Sequence, residues 1–270
     1  MPELPEVETS RRGIEPHLIG RTVESVVVRN RALRWPVSED VDSGLAHREV
    51  LSVDRRAKYL LINTNNGTAI LHLGMSGSVR IVGRDAPAGI HDHFDLELDS
   101  GLALRYRDPR RFGSLHWSGD PYAHRLLRDL GPEPLGDDFD GRYLWQCSRK
   151  RKLAVKQFIM NANIVVGVGN IYASEALFGA GINPKRAAGR IALPRYERLA
   201  DSIRDVLSRA IEAGGATLQD FVGGEGEAGY FKQQLDVYDR EGLPCRRCDA
   251  PVRSIVQGQR ATYYCVNCQK

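Results

Sequence analysis

The chain is 270 residues long, 42% hydrophobic and 27% charged, with a formal net charge of +4. That is more than one domain usually takes, and enough apolar material for real cores. No apolar run approaches the ~20 residues of a membrane-spanning helix, and Glu3, Glu6 and Glu8 stand where a signal peptide would be basic, so a cytoplasmic protein without membrane contact is expected.

The chain starts MPELPEVETS. Removal of Met1 would expose the secondary amine of Pro2 beside the carboxyl of Glu3. An α-amino group titrates near pH ~8, so a useful fraction is neutral and nucleophilic in a cell. Such an amine can attack an electrophilic sugar carbon and give an iminium ion. The competing reading is an idle terminus, since chain ends usually tolerate change. Residues 5–15 predict a short helix, with Pro5 in its first turn, Glu6 and Glu8 early and Arg11 and Arg12 late. A helix there would hold the tip in place.

Strand signals follow. Residues 22–30 are β-branched, residues 58–73 are two apolar runs around an Asn66-Gly67 turn, and residues 94–106 alternate on either side of Asp99-Ser100-Gly101. Short strands at this spacing predict an antiparallel sandwich or barrel. Lys58 precedes a buried strand; such lysines are mostly surface residues, but one facing the Pro2 cleft could bind phosphate or donate a proton. HLGMSG (72–77) and DPRRFG (108–113) place Met75, Arg110 and Phe112 in turns. Met and Phe can wedge between DNA base steps and arginine can fill the vacated space, although core packing is the ordinary fate of both apolar types.

The Gly- and Pro-rich stretch 131–141 marks a change of character. Residues 1–134 hold 18 Lys and Arg against 19 Asp and Glu, and residues 135–270 hold 20 against 15. The cationic second half is the better candidate to meet a polyanion. RKRKLAVK (149–156) carries five basic residues in eight, either a solvated face or a phosphate-contacting surface. VVGVGNIYASEALF (165–178) joins a glycine turn to a helix whose start, with Asn170, could hold a phosphate or simply link two helices. Residues 195–215 predict a helix with Tyr196, Leu199, Ile203, Val206, Leu207 and Ile211 on one face and Gly214-Gly215 at its end. Residues 221–231 are too glycine-rich for regular structure.

Four of the five cysteines lie in the last 26 residues; Cys147 stands apart and reads as an inert thiol. Cys245 and Cys248, then Cys265 and Cys268, enclose 16 residues, the spacing of a closed tetrahedral zinc site. So short a segment cannot bury a sufficient core, and metal would supply its folding energy. Between the pairs, residues 257–264 predict a hairpin presenting Gln259 and Arg260, suited to a phosphate or a DNA groove, or else a plain exposed turn.

Taken together, PELPEVET, HLGMSG, DPRRFG, LGPEPL, VVGVGNIYASE and the four-cysteine finger resemble the formamidopyrimidine-DNA glycosylase/endonuclease VIII family, over essentially the whole length. The resemblance implies an α+β multidomain protein. An N-terminal antiparallel β-sandwich with its catalytic helix would span 1–134, a helical helix–two-turn–helix domain 135–235, and a zinc-finger β-hairpin 236–270, with DNA between the lobes. It implies Pro2 as nucleophile at C1′, Glu3 as general acid/base, Lys58 as proton donor in β-elimination and Arg260 in δ-elimination. His91, Arg110, Arg151 and Asn170 would contact DNA, as would His72 and Lys156; Met75, Arg110 and Phe112 would fill the gap left by the flipped base. The loop near 217–231 would close over that base. One structural zinc, held by the four cysteines, would be the cofactor, damaged duplex DNA the partner, and the protein a monomer at the nucleoid. The expected activity is excision of oxidised purines with linked strand cleavage by β,δ-elimination. An endonuclease VIII-like preference for oxidised pyrimidines and a non-catalytic DNA-binding zinc protein are the competing readings.

Overall fold

A computed structural model describes residues 2–215 and 234–270. The expected base-covering loop at 217–231 lies outside the described residues. Those described fall into two compact units, residues 2–128 with 213–215, and residues 129–212 with 234–270.

The first unit begins with helix α1 (Leu4–Leu18), longer at both ends than the sequence predicts. Glu3 is its N-cap. The Glu6 carboxylate accepts from the Glu3 N–H at 2.7 Å, and Glu3 reciprocates at the backbone of Glu6, a capping box that satisfies two otherwise orphaned donors. Val7, Ile14 and Leu18 bury one face. Opposite them Glu8 binds Arg11, Arg12 and Arg55. Burial opposes its charge, but the three guanidiniums hold its carboxyl below the usual range.

Eight antiparallel strands follow: β1 (Thr22–Val28), β2 (Arg48–Arg56), β3 (Tyr59–Thr64), β4 (Gly67–His72), β5 (Ser78–Gly83), β6 (Asp92–Leu98), β7 (Leu102–Arg107) and β8 (Ser114–Ser118), with helix α2 (Asp40–Leu45) between β1 and β2. Their order is β5-β7-β6-β1-β2-β3-β4-β8. β1 and β2 share only the pairs Thr22↔Glu49 and Val23↔Arg48, so the sheet folds there into two layers. Val79, Leu96, Leu98 and Leu104 from one layer meet Val53, Leu60, Ile62 and Leu71 from the other in one apolar cluster, under α1. This is the expected sandwich.

Two sequence readings need correction. The β3–β4 turn is Asn65-Asn66, because Gly67 already pairs with Thr64 as the first residue of β4. On β6, Phe94, Leu96 and Leu98 are buried as expected, but Asp95 between them is buried too. It is bound by Arg105 of β7 at 2.8 Å and by Arg29 at 2.6 Å, so an ion-pair layer covers the face that alternation would leave in water.

The second unit holds α3 (Gly141–Ser148), α4 (Val155–Ile159), α5 (Asn170–Gly179), α6 (Leu193–Glu212) and the hairpin β9 (Arg253–Gln257) with β10 (Arg260–Tyr264). The predicted apolar face of α6 is buried residue for residue. The hairpin turns at Gly258-Gln259, both with positive φ (54° and 62°), the pair that matches strand twist in a two-residue loop. Arg260 is therefore the first residue of β10, exposed at the tip. Among the described residues no helix is long and apolar enough to cross a membrane.

Candidate functional site

In the first unit Pro2 and Glu3 are both buried at the start of α1, Glu3 at 3% exposure. The capping box fixes Glu3 at the backbone, so the first residues inherit the rigidity of a helix rather than the freedom of a tail. Lys58 is half-buried in the tight turn joining β2 and β3, where Ala57 takes φ 56°. Its charge reaches His72, whose ring lies 4.9 Å from that of Tyr59 across the β3–β4 pair. Burial, then Lys58 and Arg34, push the His72 imidazole down to about 4. Its Nδ1 accepts from the Gly74 N–H at 3.1 Å. His72 is thus neutral at physiological pH, with Nε2–H as its donor.

The two turns come together. A Cβ on Gly74 would lie 2.5 Å from the backbone of Phe112 and Gly113, so the 72–77 turn rests directly on the 108–113 turn. Met75 is 38% exposed. The Arg110 guanidinium stands 4.8 Å over the Phe112 ring, and Arg34 approaches the same ring at 6.0 Å. Ala32, Leu33, Arg34, Arg110, Arg111 and Phe112 line a hollow of about 480 Å³. This is a cationic surface with an aromatic plate and a flexible thioether beside it. His91 is half-buried, and its carbonyl accepts from the Asp108 N–H at 3.0 Å.

Sequence reasoning missed the residue that organises these turns. Asp108 is fully buried and accepts from Ser76, Tyr106, Arg110 and Gly113. The one available signal was an aspartate directly before a Pro-Arg-Arg turn.

In the second unit Lys156, expected to contact DNA, is turned inward onto protein acceptors. Lys156 is 1% exposed. Its Nζ donates to Asn170 Oδ1 at 2.6 Å, Thr262 Oγ1 at 2.8 Å and the Ala261 carbonyl at 3.0 Å. These three acceptors match the three protons of the ammonium. Arg149 is likewise committed, to the carbonyls of Trp145 and Ile191. Lys150, Arg151 and Lys152 are exposed, with Arg151 steadied by the Cys147 carbonyl. Asn170 opens α5, and its Nδ2 donates to Ala261 at 3.0 Å. Lys156 and Asn170 together fasten the hairpin strand beside Arg260 to the α4–α5 pair. A second missed residue acts alike: the buried Glu175 carboxylate accepts from the backbone N–H groups of Asp236, Val237 and Tyr238. It thereby holds the entry to the finger.

Lys156→Met is expected to destabilise the second unit by about 2–4 kcal/mol, since three buried acceptors lose a charged donor. Urea unfolding reads this directly. An unchanged stability with weaker DNA binding would return Lys156 to the DNA surface.

The four cysteine sulfurs all lie within 4.8 Å of one another, with Cys248–Cys265 at 3.5 Å and Cys245–Cys268 at 3.9 Å. Four thiolates at ~2.3 Å around one zinc stand about 3.8 Å apart, so the set fits tetrahedral zinc. No position is left for water, which makes the metal structural.

A histidine pair lies elsewhere in the first unit. His116 is buried, 5.4 Å from His124, and its Nε2 makes no hydrogen bond among the described residues. Burial, then His124 and Arg125, push it down to about 4. An imidazole depressed from about 6.5 to about 4 stabilises the fold fully above pH 6.5 and loses that contribution as pH falls toward 4. His72 and His116 each contribute up to about 3 kcal/mol over this window. Urea titrations of wild type and His116→Phe should show the variant losing less stability between pH 6.5 and 5; equal slopes would refute the assignment.

Comparison with known proteins agrees with this anatomy. Residues 1–115 match the formamidopyrimidine-DNA glycosylase N-terminal domain, 130–222 the formamidopyrimidine-DNA glycosylase H2TH domain, and 242–270 the zinc finger found in FPG and IleRS. Formamidopyrimidine-DNA glycosylases of Stutzerimonas stutzeri and Pseudomonas putida are 59% and 60% identical over 270 residues, covering 100% of both chains. The crystal structure of the MutM (Fpg) protein from Thermus thermophilus superposes with a TM-score of 0.89 at 37% identity, covering 99% of this chain and 98% of that one. Lactococcus lactis Fpg in complex with abasic-site DNA gives 0.92 at 31% identity, covering 100% of each.

Proposed function

The chain belongs to the formamidopyrimidine-DNA glycosylase family, enzymes of base excision repair that act on damaged DNA as glycosylases and abasic-site lyases, and on that premise we propose that it removes oxidised purines through Pro2. The observation that carries the reading is the N-terminal Pro-Glu pair buried and fixed by the α1 capping box. A nucleophile must be held within reach of the reacting carbon, and a helix start does this where a free tail could not.

The target base is inaccessible inside the stack, so the nucleotide must be extruded at a cost of a few kcal/mol. Met75, Arg110 and Phe112 are suited to occupy the vacancy: one is flexible and exposed, and the other two are stacked on each other. The freed Pro2 amine attacks C1′, the damaged base departs, and the opened sugar remains as an iminium. Glu3 serves as general acid/base beside it. The iminium acidifies the 2′ hydrogen, the 3′ phosphate is eliminated with Lys58 as proton donor, and a second elimination assisted by Arg260 releases the 5′ side. The product is a one-nucleotide gap with phosphate ends.

His72 contributes as a neutral donor, His91 and Arg151 as further DNA contacts, and Asn170 through the start of α5. The Lys156 contribution is indirect, through the hairpin it fastens. Zinc holds that hairpin in shape and takes no part in the chemistry. The protein works as a monomer in the cytoplasm, on the chromosome itself.

Borohydride trapping tests this. Met1-processed protein is mixed with a duplex carrying 8-oxoguanine opposite cytosine, and a covalent band mapping to Pro2 is the expected result. Tight binding without a crosslink would leave a DNA-binding zinc protein. A far better crosslink with an oxidised pyrimidine would move the substrate preference to the endonuclease VIII-like branch.

A further inference from the structure

We infer that Asp108 is a positioning residue that makes three separate chain segments into one rigid base-displacing tool. The inference rests on the proposed roles of Met75, Arg110 and Phe112.

Asp108 is 0% exposed, and each of its oxygens has two donors. Oδ1 accepts from the Ser76 hydroxyl at 2.7 Å and the Arg110 N–H at 3.2 Å. Oδ2 accepts from the Gly113 N–H at 2.8 Å and stands 3.0 Å from the Tyr106 hydroxyl, which also lies 3.1 Å from the Leu73 carbonyl. Ser76 follows Met75 directly. Arg110 and Gly113 bracket the Arg110–Phe112 tip. The Asp108 backbone extends the set: its N–H donates to the His91 carbonyl, and its carbonyl meets His93 Nε2 at 2.7 Å. One side chain and its peptide units thus reach the segments carrying Met75, Arg110, Phe112 and His91.

The fit is close. A Cβ on Gly113 would fall 1.7 Å from the Tyr106 hydroxyl, and one on Gly77 would fall 2.6 Å from it. Both turns close down on the phenol that Asp108 binds. Burial, with Asp108 beside it, raises the Tyr106 pKa, so the phenol stays a donor. A buried carboxylate with four donors forms charge-assisted bonds, stronger than neutral ones. Nothing in the arrangement requires substrate to assemble it. A wedge must enter the stack already shaped, because slack of an ångström in a positioning residue costs rate out of proportion to its size.

The consequence is selective. Extruding an intact base needs the wedge most; an abasic site offers no base to displace. Asp108→Asn keeps the shape but turns one acceptor into a donor that faces donors. Ser76→Ala removes only the tie to the Met75 turn and serves where Asp108→Asn folds poorly. Single-turnover rates are measured on a duplex with 8-oxoguanine and on the same duplex with a pre-formed abasic site, with thermal unfolding alongside. Asp108→Asn is expected to slow base excision at least about tenfold and abasic-strand cleavage less than about threefold, with Ser76→Ala between it and wild type. A parallel fall in both rates, or no change in either variant, would overturn the inference while leaving Pro2 chemistry intact. A wild-type protein that cleaves abasic sites without excising any oxidised purine would instead sink the proposed function and this inference with it.

Discussion

Protein that retains Met1, or carries an N-terminal tag, loses base excision and strand cleavage by at least about a thousandfold, on the scale of removing a catalytic nucleophile. An acylated proline nitrogen, its lone pair delocalised into the amide, can neither attack C1′ nor form an iminium. Glu3 remains, held as before by the capping box. Binding to a duplex with a stable abasic-site analogue is expected to be nearly unchanged, because none of the proposed phosphate contacts uses the terminus. Pro2→Gly is the graded counterpart. Its primary amine still forms an imine, so it slows or reroutes the sugar attack while affinity stays within about threefold. Gel assays of excision, cleavage and borohydride trapping with the processed, unprocessed and Pro2→Gly proteins separate these cases. Full activity in the Met1-retaining protein would remove the amine from the mechanism.

Removing zinc has the second largest effect. The finger's apolar cluster consists of Phe178, Val237 and Val252 around Cys245 and Cys265, far too little to order it. Metal binding supplies on the order of 10 kcal/mol to such modules. Without it the β9–β10 hairpin loses register and Arg260 loses its place. The damage spreads inward, because Ala261 and Thr262 supply two acceptors to the buried Lys156. Chelation is expected to weaken DNA binding at least about a hundredfold. The β-sandwich unit, whose core holds no cysteine, should melt as before. Fluorescence anisotropy and circular dichroism follow the two effects, and added zinc should reverse them. Unchanged binding by the metal-free protein would show that the finger is peripheral.

Zinc was legible in the sequence because metal chemistry dictates residue type and local spacing together. The α6 face was legible for a similar reason, since six apolar residues at helical period leave little choice of face. Lys156 was not legible. A lysine in a basic run looks solvated, and its burial depends on Asn170, Ala261 and Thr262, partners up to 106 residues away. Asp108 was hidden in part for the same reason: Ser76, its tie to the other turn, lies 32 residues away, whereas Tyr106, Arg110 and Gly113 are close in the chain. The β3–β4 turn was misplaced by one residue, because Asn66-Gly67 is a strong local signal that strand pairing at Thr64↔Gly67 overrode. Local chemistry reads from short windows, whereas buried polar networks are assembled by the fold.

The inward-turned Lys156 also bears on how the protein searches DNA. Each cation that meets a phosphate releases a condensed counterion, and log affinity falls with log salt at about 0.9 per contact. A cation satisfied by protein acceptors releases none. Of the five basic residues in 149–156, only Lys150, Arg151 and Lys152 are exposed to exchange with the ionic atmosphere. The run's share of nonspecific attraction is therefore about three charges at most, and the other two are held by acceptors within the second unit.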